Sequence, residues 1–317
     1  MKPSFRSRAL FWLLKTIKFR RRIERKALRQ IPLSNKQYVP AGIKRSFKIN
    51  LHPSQTSILA TYESRKNVTR NHILFFHGGA YLFKITPGHW KLSQKIVRKS
   101  FCRMTHIDYP LAPQHNYKET FLMVSKAYEF LQRNYPEDNF IFLGDSSGGG
   151  LALAFAQKLI KENHQKPPVK IILLSPWLDL TLSNPGIKKQ EDSDRILSIN
   201  MLRYAADQYA KGDSKKQFLL SPINGDFNKL PPSMIFFGTK ELFYPDCKRL
   251  QSMTASKNQN IIFREFQNMQ HDWAVFHVPE SLQVINEVCD FLKNNSYFFS
   301  KKVTKNFEKT MLQPTGL

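Results

Sequence analysis

Short apolar runs alternate with helically spaced segments along most of the chain after about residue 40. A run of about four to eight apolar residues between turn residues is typical of a buried strand, and apolar residues three or four positions apart are typical of an amphipathic helix. The pattern predicts strands over 73–76, 101–109, 140–143, 169–174, 234–237 and 261–266, and helices over 118–134, 146–162, 199–209, 247–256 and 280–292. This alternation predicts an α/β fold with a mostly parallel central sheet flanked by helices.

Three stretches stand outside this alternation. Residues 183–218 are polar apart from one helical pattern, so we interpret them as an insertion that forms a small helical cap together with a basic helical segment over residues 1–45. The main domain then covers residues 46–295. The polar, lysine-rich residues 296–317 show no clear period and are assigned as a C-terminal tail.

The first 30 residues combine an apolar run, Leu10–Leu14, with a dense basic cluster over 18–29. The run is far shorter than the roughly 20 residues of a membrane-spanning helix, and no small-residue cleavage site follows it as in a secretory signal. We interpret residues 5–30 as one basic amphipathic helix with two alternative uses. The favoured use is a lid over the mouth of the functional site, and the other is peripheral contact with an anionic membrane.

The formal net charge of +25, from 49 Lys and Arg against 24 Asp and Glu, attracts polyanions and anionic bilayers. We find no zinc-finger spacing, basic-region heptads or aromatic single-strand platform, so we expect no nucleic-acid partner. Cys102, Cys247 and Cys289 are odd in number and widely spaced, which predicts free thiols in a reducing compartment rather than a disulfide framework or a zinc site. We therefore expect a cytoplasmic protein without metal or cofactor, with peripheral contact at the inner membrane surface as an extension of that location.

The segment Gly144–Gly148 (GDSSG) follows an apolar strand and precedes a helix, which is the context of a G-x-S-x-G nucleophile elbow. Small residues on both sides of the serine let strand and helix approach closely around a strained turn. The turn would expose the Ser146 hydroxyl, and the backbone N–H of Ser147 would face a developing oxyanion. Ser146 is therefore the predicted nucleophile; the alternatives are a flexible Gly/Ser loop and an anion-binding helix start.

A second glycine-rich segment, His77-Gly78-Gly79-Ala80, follows the strand over 73–76. This loop is where the second contributor to an oxyanion hole belongs in such a fold, and each donor there stabilises a transition state by about 2.7–4 kcal/mol. We predict that the backbone N–H groups of Gly78, Gly79 and Ala80 contribute; the alternative is a tight turn without that role. His77 and Asp145 are expected to support the site rather than to react.

Chain position selects the base and the acid. His271 lies after the last predicted strand and before the last helix, as the chain order nucleophile, acid, histidine requires. The acid is expected after the strand over 234–237, where Glu241 and Asp246 are both candidates. We favour Glu241 because it lies nearer the carboxyl end of that strand, and we expect Asp246 to begin or cap the next helix.

These segments resemble the hormone-sensitive-lipase-like esterases, a family of α/β hydrolases whose motifs are H-G-G-G or H-G-G-A and G-D-S-A-G. The match covers roughly residues 70–290 and consists of the segments 77–80, 108–113 (DYPLAP), 144–148, 175–179 (SPWLD) and 238–246 together with Met269 and His271. The resemblance implies an α/β-hydrolase catalytic domain with an N-terminal cap, no metal, and frequent oligomers, which leaves a homodimer open. The family acid is usually Asp but is Glu in one branch, and the 30-residue interval between Glu241 and His271 resembles the family spacing.

The chain departs from the family pattern at three positions. Ala80 replaces the third glycine and Ser147 the usual alanine, and both still offer a backbone N–H. Pro110 replaces an arginine, which removes a side chain that braces the neighbouring loop in the family.

The three residues predict a serine carboxylesterase that acts through an acyl-enzyme intermediate. The resemblance implies that its substrates are small-molecule, short-chain acyl (acetyl-type) esters. One alternative is an amide hydrolase on the same three residues, as in arylacetamide deacetylases. Another is a non-catalytic ligand receptor, as in gibberellin receptors, which resemble this family but have lost the base. The presence of His271 argues against the receptor.

Overall fold

A computed structural model describes residues 3–29, 39–53, 58–255 and 260–293. Within these ranges the strands are β1 (Lys48–Pro53), β2 (Ile58–Glu63), β3 (Asn71–Phe76), β4 (Arg103–Ile107), β5 (Asn139–Asp145), β6 (Lys170–Leu174), β7 (Ser233–Gly238) and β8 (Ile261–Phe266). The α-helices are α1 (Phe5–Thr16), α2 (Phe19–Leu28), α3 (Ala41–Ser46), α4 (Pro87–Ser100), α5 (Tyr117–Asn134), α6 (Ser146–Lys161), α7 (Pro185–Gln190), α8 (Ile199–Ala210), α9 (Tyr244–Ala255) and α10 (Pro279–Lys293).

The strands form one sheet in the order β1-β2-β4-β3-β5-β6-β7-β8. β1 and β2 run antiparallel, as do β2 and β4, and all other neighbours are parallel. Parallel strands need crossover connections, which the helices between them supply. The predicted α/β class with a mostly parallel sheet is confirmed.

The central strands are almost entirely buried, and this explains why they were readable as apolar runs. Every residue of β6 and β7 is buried, as are all residues of β3 and β5 except the first. A parallel strand covered by helices on both faces has no polar side, so it loses the alternation of an exposed strand. β1 and β2, which were not predicted, form the antiparallel edge and mix polar with apolar residues.

Two other predictions need correction. The strand predicted over 101–109 is shorter, because Phe101 adopts a left-handed conformation (φ 56°) that ends helix α4. The single helix predicted over residues 5–30 is two helices, because Lys18 is also left-handed (φ 51°) and turns the chain between α1 and α2. In the described ranges, no helix has the combination of length and hydropathy that crossing a membrane requires.

The N-terminal helices pack on the main domain through partly buried polar contacts as well as apolar ones. The backbone N–H of Ser4 and the hydroxyl of Ser7 both donate to Glu280, at 2.6 and 2.5 Å. Arg20 on α2 donates to the backbone carbonyls of Glu191 and Asp194. Since α2 also packs against α8, residues from the first segment and from the 183–218 insertion lie together. The C-terminal tail over 296–317 lies outside the described residues.

The sheet brings the functional segments to one edge. The chain leaves β3 into the 77–80 loop, β5 into Ser146, β6 into Ser175, β7 towards Glu241 and β8 towards His271. Because these strands are parallel, their carboxyl ends meet at the same edge, where ligands bind in open α/β sheets.

Helix α6 is anchored beneath that edge by an aromatic cluster, which generates a stability prediction. Phe155 is fully buried and its ring lies 5.5 Å from Phe142 and 5.7 Å from Tyr128. We expect Phe155→Ala to lower the free energy of unfolding by about 3–5 kcal/mol, through lost burial and the cavity left behind. Urea denaturation measures this change. Leu122→Ala, at a 58% exposed position of α5, is the control and should shift stability by about 0.5 kcal/mol or less; equal losses in both variants would contradict this packing.

Candidate active site

Ser146 stands at the junction of β5 and α6 in a strained backbone conformation. Its φ is 51°, in the left-handed region that side-chain-bearing residues rarely adopt. The turn is tight because α6 starts against the end of β3: a Cβ atom on Gly148 would lie 2.1 Å from the carbonyl oxygen of Phe76. A glycine at position 148 is therefore required for the approach of helix to strand, as the elbow predicted.

His271 lies against Ser146, although 125 positions separate the two residues in sequence. His271 Nε2 is 2.9 Å from Ser146 Oγ, and the two residues are 2% and 4% exposed. A short, buried hydroxyl–imidazole contact lets the ring accept the hydroxyl proton, which is the geometry that activates a serine.

Of the two candidate acids, Glu241 lies beside His271. Glu241 Oε2 is 3.7 Å from His271 Nδ1, beyond hydrogen-bonding distance but within the range of an ion pair. His271 Nδ1 and Glu241 Oε1 are buried, and neither has a hydrogen-bond partner among the described residues. Catalytic hydrogen bonds are often long in unliganded enzymes and shorten when substrate binds.

Asp246 occupies a different environment. It lies in the first turn of α9, where its Oδ1 accepts a hydrogen bond of 2.8 Å from the side-chain amide of Asn184. Burial raises the pKa of Asp246 to about 6, opposed by that hydrogen bond. Glu241 therefore lies beside His271, which contacts Ser146, whereas Asp246 contacts Asn184 of the 183–218 insertion.

Ser175 holds Glu241 in place and was not singled out from the sequence. Its hydroxyl donates to Glu241 Oε2 at 2.7 Å and accepts from the backbone N–H of Asp272 at 3.2 Å. Ser175 follows β6 directly and belongs to the SPWLD segment, whose match to the family was the one available signal. It links the loop that carries the acid to the loop that carries the histidine.

Asp194 makes a second link of this kind. Its Oδ1 accepts from the backbone N–H groups of Ile196 and Leu197 at 2.8 and 2.9 Å, and its Oδ2 accepts from that of Leu242 at 2.9 Å. Burial raises the pKa of Asp194, against the attraction of His271 and these N–H groups. A buried carboxylate in the insertion thus holds the backbone next to Glu241. No sequence motif predicted this role.

Asp272 changes the electrostatics of the histidine. Its Oδ2 lies 3.2 Å from His271 Nε2, the ring atom that also faces Ser146. Burial by itself lowers the pKa of His271, but Asp272 and Glu241 raise it by more, so the pKa lies well above its usual value of 6.5. Burial raises the pKa of Asp272 to about 6, opposed by the nearby His271.

The side chain of His77 stabilises the 77–80 loop. His77 Nδ1 donates to the carbonyl of Gly78 at 2.7 Å, and its ring stacks on Tyr109 with centroids 4.5 Å apart. Burial lowers the pKa of His77 to about 4, so the ring is neutral at physiological pH. The Tyr109 hydroxyl donates to the carbonyl of His77 at 2.5 Å, which braces the loop next to the position where Pro110 lacks the family arginine.

Two backbone N–H groups of this loop are available to a ligand. Gly79 has φ 128° and Ala80 φ 54°, so the chain turns sharply there. Among the described residues, no hydrogen bond uses the N–H of Gly79 or of Ala80. The N–H of Ser147 lies in the first turn of α6, where a helix has no internal acceptor for it.

His89 is a further polar residue at the site. It was not predicted as the base, because it precedes the loop in which the base is expected. Its Nε2 donates to Asp145 Oδ2 at 3.0 Å, and its Nδ1 accepts from the backbone N–H of Thr86 at 3.0 Å. Burial lowers the pKa of His89, but the negative charge of Asp145 raises it by more. The one sequence signal for this position is the preceding Thr86-Pro87 pair, which is typical of a helix start and would place His89 in the first turn of α4.

Ser146 and His271 open into a pocket of about 590 Å³. Its walls are mostly apolar, and three groups of residues supply them: the N-terminal helix α2, the insertion, and the loops after β3 and β8. The apolar side chains of these groups are Phe19, Ile23, Phe83, Ile85, Pro87, Ile196, Leu197, Met201, Val275 and Phe276. Lys26 and Lys84 also reach the lining.

The described residues contain no group of three or more His, Cys, Asp or Glu side chains arranged to hold a metal ion. Cys102, Cys247 and Cys289 are buried free thiols. Burial raises the pKa of each thiol, which leaves little of the reactive thiolate.

Comparison with known proteins decides the family. Residues 73–275, more than half of the chain, match the family model described as the alpha/beta hydrolase fold. The chain belongs to the α/β-hydrolase family. This confirms the fold and the family that the motifs predicted.

Two curated relatives of this hydrolase are enzymes that act on esters or acetyl groups by name. An "Esterase" of Acinetobacter venetianus is 29% identical over 77% of this chain and 82% of that protein. An "Acetyl-hydrolase" of Streptomyces hygroscopicus is 27% identical over 70% of this chain and 75% of that protein.

Solved structures agree in fold. A hormone-sensitive lipase from a metagenome library superimposes with a TM-score of 0.78 at 24% identity, covering 92% of this chain and 99% of that one. An esterase of the bacterial hormone-sensitive lipase family superimposes with a TM-score of 0.77 at 22% identity, covering 92% and 98%.

The position of Asp272 generates a prediction about His271 in this hydrolase. We expect Asp272→Asn to lower the pKa of His271, because the amide no longer stabilises the imidazolium. NMR titration of the ring protons, assigned with a His271→Gln variant, measures the shift. Asp246→Asn is the matched control and should leave the titration where it is, and an unchanged pKa in Asp272→Asn would contradict the electrostatic role of that carboxylate.

Proposed function

We propose that this α/β hydrolase is a serine carboxylesterase that hydrolyses short-chain acyl esters of the acetyl type through an acyl-enzyme intermediate. Its class, a carboxylic ester hydrolase, follows from the family and from its esterase relatives. The observation that carries the proposal is the buried 2.9 Å contact between Ser146 Oγ and His271 Nε2 at the base of the pocket. The preference for acetyl-type acyl groups is supported by the relative named an acetyl-hydrolase.

In the proposed first step, Ser146 Oγ attacks the ester carbonyl carbon and His271 Nε2 takes the hydroxyl proton. The C–O bond to the alcohol then breaks, and His271 returns the proton to the departing alkoxide. In the second step His271 removes a proton from water, which attacks the carbonyl carbon of the acyl-enzyme. The bond to Ser146 Oγ then breaks, and His271 returns the proton to Oγ as the acid leaves.

The negative oxygen formed in each step needs donors that are in place beforehand. We assign this role to the backbone N–H groups of the 77–80 loop, at Gly78, Gly79 and Ala80, and to that of Ser147. The unused N–H groups of Gly79 and Ala80 support the assignment, because donors without a protein partner require no rearrangement before they bind an oxyanion. His77 would keep this loop in shape, and Asp145 would do so from below through its bond to His89.

Glu241 is assigned as the acid of the triad. Its carboxylate, held by Ser175, would accept the Nδ1 proton of His271 and stabilise the imidazolium that forms when Nε2 takes the serine proton. Asp272 faces Nε2 instead, so it would favour the protonated resting ring and delay the onset of activity to higher pH.

The mostly apolar pocket is suited to an uncharged small-molecule ester. Its volume of about 590 Å³ lies within the range of roughly 300–1,000 Å³ that is usual for small-molecule sites. Phe19 and Ile23 of α2 form part of its wall, which supports the interpretation of the N-terminal segment as a lid.

The nucleophile assignment is tested by Ser146→Ala. We expect kcat for p-nitrophenyl acetate to fall by several orders of magnitude, because the attacking oxygen is gone, while circular dichroism stays unchanged. Ser147→Ala keeps its backbone N–H and should lose far less activity. A fluorophosphonate probe should label the wild-type peptide that contains Ser146 and should not label the Ser146→Ala variant. Near-normal turnover by that variant would refute the proposal.

The acid assignment is tested by two neighbouring carboxylates. Glu241→Gln should lower kcat by roughly 10³- to 10⁴-fold, because the neutral amide no longer stabilises the imidazolium. Asp246→Asn can still accept from Asn184 and should stay within about tenfold of wild type. Steady-state kinetics on folded variants separates the two, and the reverse order of losses would assign the acid to Asp246.

A further inference from the structure

Helix α1 is apolar on two opposite sides. Its inner side buries Phe11 and Leu14 against the rest of the protein. Its outer side exposes Phe5, Trp12 and Leu13, which are 77%, 68% and 47% exposed. An ordinary surface helix has one apolar side, turned inward, and a polar one facing water.

The outer residues form a continuous patch. Phe5, Ala9, Trp12 and Leu13 follow the three- and four-residue spacing that places side chains on one side of a helix. We refer to these four residues as the outer α1 face. Exposed aromatic and aliphatic side chains grouped in this way indicate a contact surface rather than scattered exposure.

Cations border the outer α1 face. Arg6, Arg8 and Lys15 of α1 are exposed, and no ion pair among the described residues involves them. Next to α1 lies a groove of about 660 Å³, to which Arg8 and Lys15 contribute along with Trp12, Arg195 and Lys240. Among the described residues that line this groove, Asp192 is the one with an acidic side chain.

Aromatic and aliphatic side chains flanked by unpaired Arg and Lys match the two layers of a membrane surface. The apolar side chains enter the region between headgroups and acyl chains, and the cations contact anionic headgroups. A second copy of this chain fits less well, because it carries the same net charge of +25 and would bring cations against cations.

We propose that the outer α1 face docks on an anionic lipid bilayer. The helix would lie in the plane of the interface, without crossing the membrane. Because α2 follows α1 after a two-residue turn and supplies Phe19 and Ile23 to the pocket wall, docking would hold the pocket near the lipid surface. In this arrangement α1 would carry the membrane-docking face, and the adjacent α2 would form the lid.

Trp12 provides a built-in reporter. The chain has four tryptophans, and the other three, Trp90, Trp177 and Trp273, are at most 1% exposed. We expect vesicles of phosphatidylcholine and phosphatidylglycerol to shift the Trp12 emission to shorter wavelength, and brominated lipids to quench it. Trp12→Phe should remove this signal while the protein still floats with the vesicles.

Vesicle flotation of full-length variants separates the apolar from the electrostatic contribution to membrane binding. Trp12→Ser should weaken binding about tenfold or more, since less apolar area enters the interface; the control Leu122→Ser changes another exposed apolar residue and should bind like wild type. Arg6→Gln, Arg8→Gln and Lys15→Gln combined should weaken binding on the order of a hundredfold. The control with Lys66, Lys126 and Lys229 changed to Gln loses the same charge elsewhere and should change binding by about threefold or less.

Each other outcome would overturn the docking proposal. Equal binding to pure phosphatidylcholine vesicles, or binding that resists high salt, would remove the electrostatic part. Equal losses in test and control variants would remove the assigned surface. If the Trp12 emission shifts without vesicles as protein concentration rises, and light scattering gives twice the mass, the face is a dimer interface. All arms can be repeated in Ser146→Ala, so their outcome is independent of whether the protein is an esterase.

Discussion

The contact between the start of α6 and the end of β3 is the constraint from which the site follows. The helix can begin directly after β5 only because Gly148 lies against the carbonyl of Phe76. That approach forces Ser146 into its left-handed conformation and leaves its hydroxyl at the carboxyl edge of the sheet. The same edge receives the loops after β3, β6, β7 and β8, so one close packing contact and the parallel sheet bring Ser146, Glu241 and His271 together.

Around Ser146, opposite charges offset the cost of burying ionised side chains. His271 is almost fully buried yet its pKa is raised, because Asp272 and Glu241 outweigh the loss of hydration. Two of the nearby carboxylates accept hydrogen bonds from neighbouring donors: Glu241 from Ser175, and Asp194 from backbone N–H groups. Such contacts fix the directions of the charged groups and leave His271 Nε2 facing the Ser146 hydroxyl.

The N-terminal helices relate this site to the outside of the molecule. Their inner residues complete the pocket and their outer residues, in our proposal, contact lipid. The two uses that the sequence offered as alternatives, a lid and a membrane contact, need not exclude each other. The chain turns at Lys18 between α1 and α2, so each use would have its own helix. A hydrolase with this arrangement would meet hydrophobic esters where they concentrate.

The sequence by itself determined the mostly parallel core, and it predicted an elbow at Ser146, the 77–80 loop and His271, because these predictions depend on local order: a buried strand, a glycine, then a helix. It favoured Glu241 over Asp246 as the acid, and it did not single out Asp194, Ser175, Asp272 or His89. Only the tertiary structure decided which groups these four side chains contact, since the partners come from loops as much as 97 positions apart and periodicity does not indicate which loops lie together. Likewise β1 and β2 escaped prediction because an edge pair is shaped by its partner strand more than by its own apolar pattern.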